Sequence, residues 1–235
     1  MKLSAILLLL IAGCTTADDP SYTVETPSGT GAGGSTGGST STRIAGRVCV
    51  LADPTLMSAC AITGAGGLTV TAAGASTTTS QNGTFSLAAD SVSPTTNLAV
   101  TGTGIVPSQV SVANASIVPV MNQQLFASMV LATRITTEPQ TGMIIASVVN
   151  GQGVPAAGVT ATSLPVGTVG PFFDGTGATP FTLDATGARG VVMFPNVPTT
   201  GATRLSFTNS AETETTVDGI QVVDGGITFV DATLR

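Results

Sequence analysis

From Arg43 onward the chain consists of short β-branched runs, broken at regular intervals by Gly, Asn, Asp or Pro. β-Branched residues suit a pleated, half-buried surface, and Gly and Pro punctuate it, so this pattern restricts the chain to strands joined by turns. The first half predicts strands at 43–50 (RIAGRVCV), 68–72, 84–88, 97–101, 108–113 and 124–132. The second half predicts them at 142–149 (GMIIASVV), 158–163, 181–184, 190–194, 203–208, 216–223 and 226–234. Asn82-Gly83 and Asp218-Gly219 tolerate positive φ in tight turns, and Asp224-Gly225-Gly226 marks another. Many short strands with such punctuation indicate an all-β sandwich.

The two halves can be laid on one another. "RIAGRVCV" falls on "GMIIASVV", "GLTVTAAG" on "GVTATSLP", "SQNGTFSLAAD" on "DATGARGVVMFPN", and "NLAVTGTG" on "TRLSFTNS". The expected fold is therefore two tandem small Greek-key β-sandwich domains, residues 43–135 and 141–235, joined near "TRITTEPQT". One segment pulls two ways. In "MNQQLFASMVLAT" (residues 121–133) Met121, Leu125 and Met129 recur at helical spacing among good helix formers. Its place in the repeat matches the terminal "GITFVDATL", and on that ground a strand is expected.

Ahead of the first strand lie two segments of different character. Lys2 and the apolar run from Leu3 to Gly13 read as an export signal, residues 1–13, too short for the ~20 residues of a membrane span. Ile11-Ala12-Gly13-Cys14 resembles the bacterial lipobox. That resemblance implies cleavage before Cys14, lipidation of Cys14, and a protein held in the bacterial cell envelope by acyl chains. Thr15 after the cysteine is similar to an outer-membrane sorting signal. Residues 14–42 are rich in Gly, Ser and Thr and read as a flexible linker of about 30 Å r.m.s. span.

Composition narrows the chemistry sharply. Charged residues make up 9% of the chain, the net charge is −6, and no basic cluster is available to neutralise phosphates, so no nucleic-acid partner is expected. There is no His, and Lys2 is the only lysine, which removes His-activated nucleophiles and, after cleavage, lysine chemistry. Glu212, Glu214, Asp174 and Asp184 are the carboxylates that acid–base chemistry would have to use. In "SAETETTVDG" the two glutamates alternate with Thr as on a solvated strand face, and no enzyme, catalytic residue or cofactor is expected. Asp174, Asp184 and Asp224 precede or sit among turn residues without a dense calcium loop, so no metal site is expected. Cys49 and Cys60, an even pair in an exported chain, point to a disulfide closing "VLADPTLMSA". Phe172 and Phe173 cannot both face one side of a strand, so one of them is a candidate partner contact.

The second half also carries a family pattern. "GQGVPAAGVTAT" followed by "LDATGARGVVMFPNVP" resembles the carboxypeptidase regulatory-like, transthyretin-type sandwich, through Gly153, Pro155, Gly158, Val159, Asp184, Gly187, Phe194, Val197 and Pro198. Thr199-Thr200-Gly201 replaces that family's usual Gly-x-Tyr. The resemblance implies a non-catalytic spacer, folding aid or binding module of secreted and envelope proteins. The expectation is a membrane-anchored envelope lipoprotein acting as a structural or protein-interaction module, with the membrane and an unidentified envelope protein as partners. The rival is a lipoprotein that binds a glycan or Ca²⁺ through second-domain loops.

Overall fold

The computed structural model describes residues 42–57, 59–61, 65–174, 181 and 184–235. Its first half contains β1 (Thr42–Val50), β2 (Thr69–Ala72), β3 (Ala75–Thr78), β4 (Thr84–Ala89), β5 (Asn97–Thr101), β6 (Ser108–Ser111) and β7 (Ile117–Val120), then α1 (Gln123–Thr133). The second half contains β8 (Thr141–Val149), β9 (Thr160–Leu164), β10 (Phe172–Phe173), β11 (Val191–Pro198), β12 (Ala202–Thr208), β13 (Glu214–Gln221) and β14 (Ile227–Thr233). The architecture is all-β, two Greek-key sandwiches in tandem.

In the first sandwich the sheet β4-β1-β7 packs on β6-β5-β2-β3. In the second, β10-β11-β8-β14 packs on β13-β12-β9. The shared plan is visible in strand order and direction. Each sandwich has a central strand (β1 or β8) flanked by an antiparallel neighbour (β4 or β11) and a parallel one (β7 or β14).

The two halves also build one identical turn. Thr79, buried, accepts from Leu68 N through Oγ1 and donates to Ala65 O at 2.6 Å, while its backbone bonds Leu68 O and Gly67 N. Thr186 does the same with Val159 N, Ala156 O at 2.7 Å, Val159 O and Gly158 N. Four residues later a glycine at positive φ, Gly83 or Gly190, offers its carbonyl to Val48 N or Val148 N. This equivalence sets Val48 on Val148, one residue away from the alignment of "RIAGRVCV" with "GMIIASVV" expected from sequence.

The sandwiches are not beads on a string. β14 pairs in parallel with β6 through Ile227↔Ser108 and Thr228↔Gln109, which makes one eight-stranded sheet, β10-β11-β8-β14-β6-β5-β2-β3. Along β8, β11 and β14, side chains alternate between two cores. Ile144, Ala146, Val192, Phe194 and Ala232 fill the second sandwich. Met143, Ile145, Val191, Met193, Ile227 and Phe229 join the first core. Burial on both faces explains why these strands read as near-continuous apolar runs, whereas β4 alternates exposed and buried positions.

Three expectations are corrected. Residues 123–133 form a helix, not a strand. Asn122 caps it by accepting from Leu125 N at 2.7 Å, and Met129 is buried in the first core. The place equivalent to β14 is already filled by β7, whose Pro119 made it unreadable as a strand. Asp218-Gly219 is not a hairpin turn but a bulge inside β13, where both residues stand opposite Arg204 of β12. Phe181 and Asp184 lie outside any strand, and residues 182–183 of that expected strand lie outside the described residues. β3, β7 and β10 have no counterpart among the expected strands.

Candidate functional site

A set of polar contacts joins the two sandwiches where they meet. Cys49, buried at the end of β1, and half-buried Cys60 form a disulfide with Cα atoms 5.1 Å apart. Beside it Leu51 bridges Cys60, and Ala61 N donates to Val50 O. The loop so closed carries Asp53 and Thr55. Asp53 Oδ1 accepts from Thr55 N at 2.9 Å and from Thr55 Oγ1 at 2.7 Å. Both residues also bond the guanidinium of Arg189 from the second sandwich. Partial burial pushes the Asp53 carboxyl up, but the Thr55 and Arg189 hydrogen bonds and the Arg189 charge outweigh it and hold it below the ordinary value.

Arg189 is itself held from behind. Asp174 is fully buried, and its carboxylate accepts from the backbone N–H groups of Gly187, Arg189 and Val191, each at 2.9 Å. Gly187 lies so close that an added Cβ would stand 2.8 Å from Asp174 Oδ2. The carboxylate thus serves as an internal clasp for the turn before β11, with its oxygens turned to amides.

A second clasp sits at the join. Asn196, buried and at φ 51° in a bulge of β11, donates to Thr136 O at 2.7 Å and to Thr168 Oγ1, and accepts from Glu138 N. It ties the connecting segment to the second sandwich. Next to it a groove of about 540 Å³ runs between Phe126, Ile135, Met143 and the turn Asp224–Gly226. A smaller groove of about 280 Å³ lies between Met57, Ile117 and Pro119 on one side and Ile145, Phe229 and Asp231 on the other. Loss of water around the Asp231 carboxyl raises it above its ordinary value.

The residues singled out from sequence fall as follows. Cys14 lies outside the described residues. Phe173 is buried in the second core, and Phe172 is half-buried against the first, on opposite faces of β10. Phe173 is thus spent on packing, while Phe172 packs on the first core and keeps part of its surface exposed. Glu214 is exposed at the start of β13 and Glu212 sits in the turn before it, far in role from buried Asp174. Among the described residues, no three His, Cys, Asp or Glu side chains come together as a metal site. Arg189 and Asn196 were missed by sequence reading. Both are polar residues next to bulge or turn glycines and prolines, and nothing local marks their long-range partners.

No protein-family model matches the chain, and no curated protein does. Among solved structures it is similar to the Bacillus anthracis TIE protein, at 13% identity and a TM-score of 0.25, covering 82% of this chain and 33% of that one. A streptococcal ancillary pilin matches at 12% identity and a TM-score of 0.22, covering 82% and 62%. The major pilin subunit of Bacillus cereus matches at 12% identity and a TM-score of 0.23, covering 72% and 55%. The chain thus spans less than two thirds of each of these proteins. At such TM-scores the likeness carries neither function nor detail of fold.

Proposed function

We propose that this chain is a non-catalytic structural or interaction module of the bacterial cell envelope, tethered to the membrane through lipidated Cys14. The observation that carries the non-catalytic half is the use made of its polar interior. The buried Asp174, Asn196, Thr79 and Thr186 are all consumed by backbone groups of the fold, and Thr203 Oγ1 is the one buried side-chain oxygen without a partner among the described residues. Side chains locked in this way hold turns in place and have no free valence for a substrate. Membership of the carboxypeptidase regulatory-like family is part of the same reading and rests on the residue pattern from Gly153 to Pro198.

The anchoring half rests on Ile11-Ala12-Gly13-Cys14 and the uncharged run before it. Metabolic labelling with a palmitate analogue in a bacterial host tests it directly. The native chain takes up label and partitions with membranes, and Cys14→Ala loses both. Label retained by Cys14→Ala refutes the anchor and leaves the non-catalytic reading standing on its own.

A further inference from the structure

We propose that β4 is a self-pairing edge, through which two copies of this chain join their first-sandwich sheets in antiparallel register. In the ladder between β1 and β4, Val48 N donates to Gly83 O. Alternation along that ladder turns the backbone groups of residues 83, 85, 87 and 89 toward β1 and those of Thr84, Ser86 and Ala88 away from it. Thr84 is occupied locally, its carbonyl accepting from Ser80 N and its N–H donating to Asn82 Oδ1. Ser86 and Ala88 remain, with two N–H and two C=O groups that no described residue engages.

The second sandwich shows what this position accepts. The edge equivalent to β4 is β11, with Gly190 standing where Gly83 stands, so Val191 and Met193 correspond to Thr84 and Ser86. There an antiparallel strand is in place. Phe172 pairs with Met193, and Asp174 N donates to Val191 O. The first sandwich has no such strand among the described residues.

Other edges carry devices that discourage pairing. β7 places Pro119, which lacks an N–H, on its outward side, since Arg47 N and Leu51 N bond Ser116 and Val120. β13 has the Asp218-Gly219 bulge and two acidic side chains. β3 and β10 are four and two residues long, and β9 is tied at its start by Thr186 and followed by Pro165. β4 (TFSLAA) is uncharged, contains no proline, and keeps an unbroken six-residue register with β1.

A second copy is the occupant this edge fits. An antiparallel pair centred on Leu87 sets Ser86 of each copy opposite Ala88 of the other, so each copy's four free groups meet their complements about a two-fold axis. Self-complementarity of that kind is what a closed dimer requires. The outward side chains at the seam, Ser86 and Ala88, are small and exposed, and no like charges are brought face to face.

Sedimentation of the full chain over a concentration series tests the proposal, with Ser86→Pro and Ser86→Ala as variants. Ser86→Pro removes an outward N–H and, with the hydroxyl, the Arg43 contact, while the ladder hydrogen bonds to β1 do not involve residue 86. Ser86→Ala removes the Arg43 contact but keeps that N–H. Expected is a reversible monomer–dimer equilibrium in the native chain and in Ser86→Ala, with loss of the dimer in Ser86→Pro at unchanged circular dichroism. A native chain that stays monomeric at every concentration overturns the proposal, as does a dimer that survives Ser86→Pro. Should Ser86→Pro unfold, amide exchange in the native chain decides: Ser86 and Ala88 gain protection with concentration if the dimer forms there. Protection of those amides independent of concentration would instead mean that the chain's own N-terminal segment covers the edge, which also overturns it.

Discussion

The two sandwiches share a strand plan and a threonine turn but end their sheets differently. In the first, the β4 edge is bare and the β6 edge is taken by β14. In the second, the edge equivalent to β4 is covered by β10, while β13, equivalent to β6, is left as a bulged, acidic margin. A sandwich buries one face of each of its sheets; β8, β11 and β14 bury both, because the first core extends over their outer surface. Duplication alone would give two independent folding units. Here the pairing of one copy's edge with the other's terminal strand, and a core shared across it, make each half a structural wall of the other.

If the turns are truly equivalent, damage to them should cost the same in either half. The largest effect is expected for Gly83→Ala and Gly190→Ala. Each added Cβ would lie 2.6 or 2.4 Å from the carbonyl of Val48 or Val148, at φ of 84° or 64°. Close backbone approach combined with left-handed geometry puts the loss at about 3 kcal/mol each, measured by denaturant unfolding. A loss at only one of the two sites would break the equivalence. Thr79→Val and Thr186→Val come next, each stranding one buried N–H and one carbonyl, for about 2–3 kcal/mol apiece.

Two further effects, the second of them the smallest, sharpen the asymmetry instead. The disulfide exists only in the first sandwich, and replacing both cysteines with alanine should cost about 2.5–3 kcal/mol on the chain-entropy model. It should also speed amide exchange at Gly187, Arg189 and Val191 of the second sandwich, because Asp53 and Thr55 are what grip Arg189 from the disulfide loop. Unchanged exchange there would show that the loop does not reach across. Asp53→Asn should cost under about 1 kcal/mol, since the ion pair is more than a third exposed. The sign with pH follows from the lowered Asp53 carboxyl. Its contribution is complete above the unfolded carboxylate value of about 4 and fades as pH falls through and below it. The gap between native and Asp53→Asn stability should therefore shrink on acidification, as unfolding curves at neutral and acidic pH will show.

Much of this plan is legible in the residues, for identifiable reasons. Alternating runs such as TFSLAA and turn glycines such as Gly83 located most strands, because half-buried sheets impose a period of two on side chains. The repeat was readable for the same reason. β7 was not, because Pro119 argues against a strand unless its missing N–H faces outward, a fact only topology supplies. At 123–133 the repeat points to a strand, but the Asn122 cap and the helix formers after it prevail. The fused sheet did leave a trace: GMIIASVV, VVMF and ITFV lack alternation, as strands buried on both faces do. The contacts of Asp174, Arg189 and Asn196 left none, since each joins residues remote in sequence.

The central claim is that the two sandwiches are one cooperative unit, and differential scanning calorimetry tests it most directly. A sheet continued through β14 and β6, with a core drawn from both halves, predicts one transition whose calorimetric and van't Hoff enthalpies agree. Two resolved transitions, or a calorimetric enthalpy about twice the van't Hoff value, would contradict it.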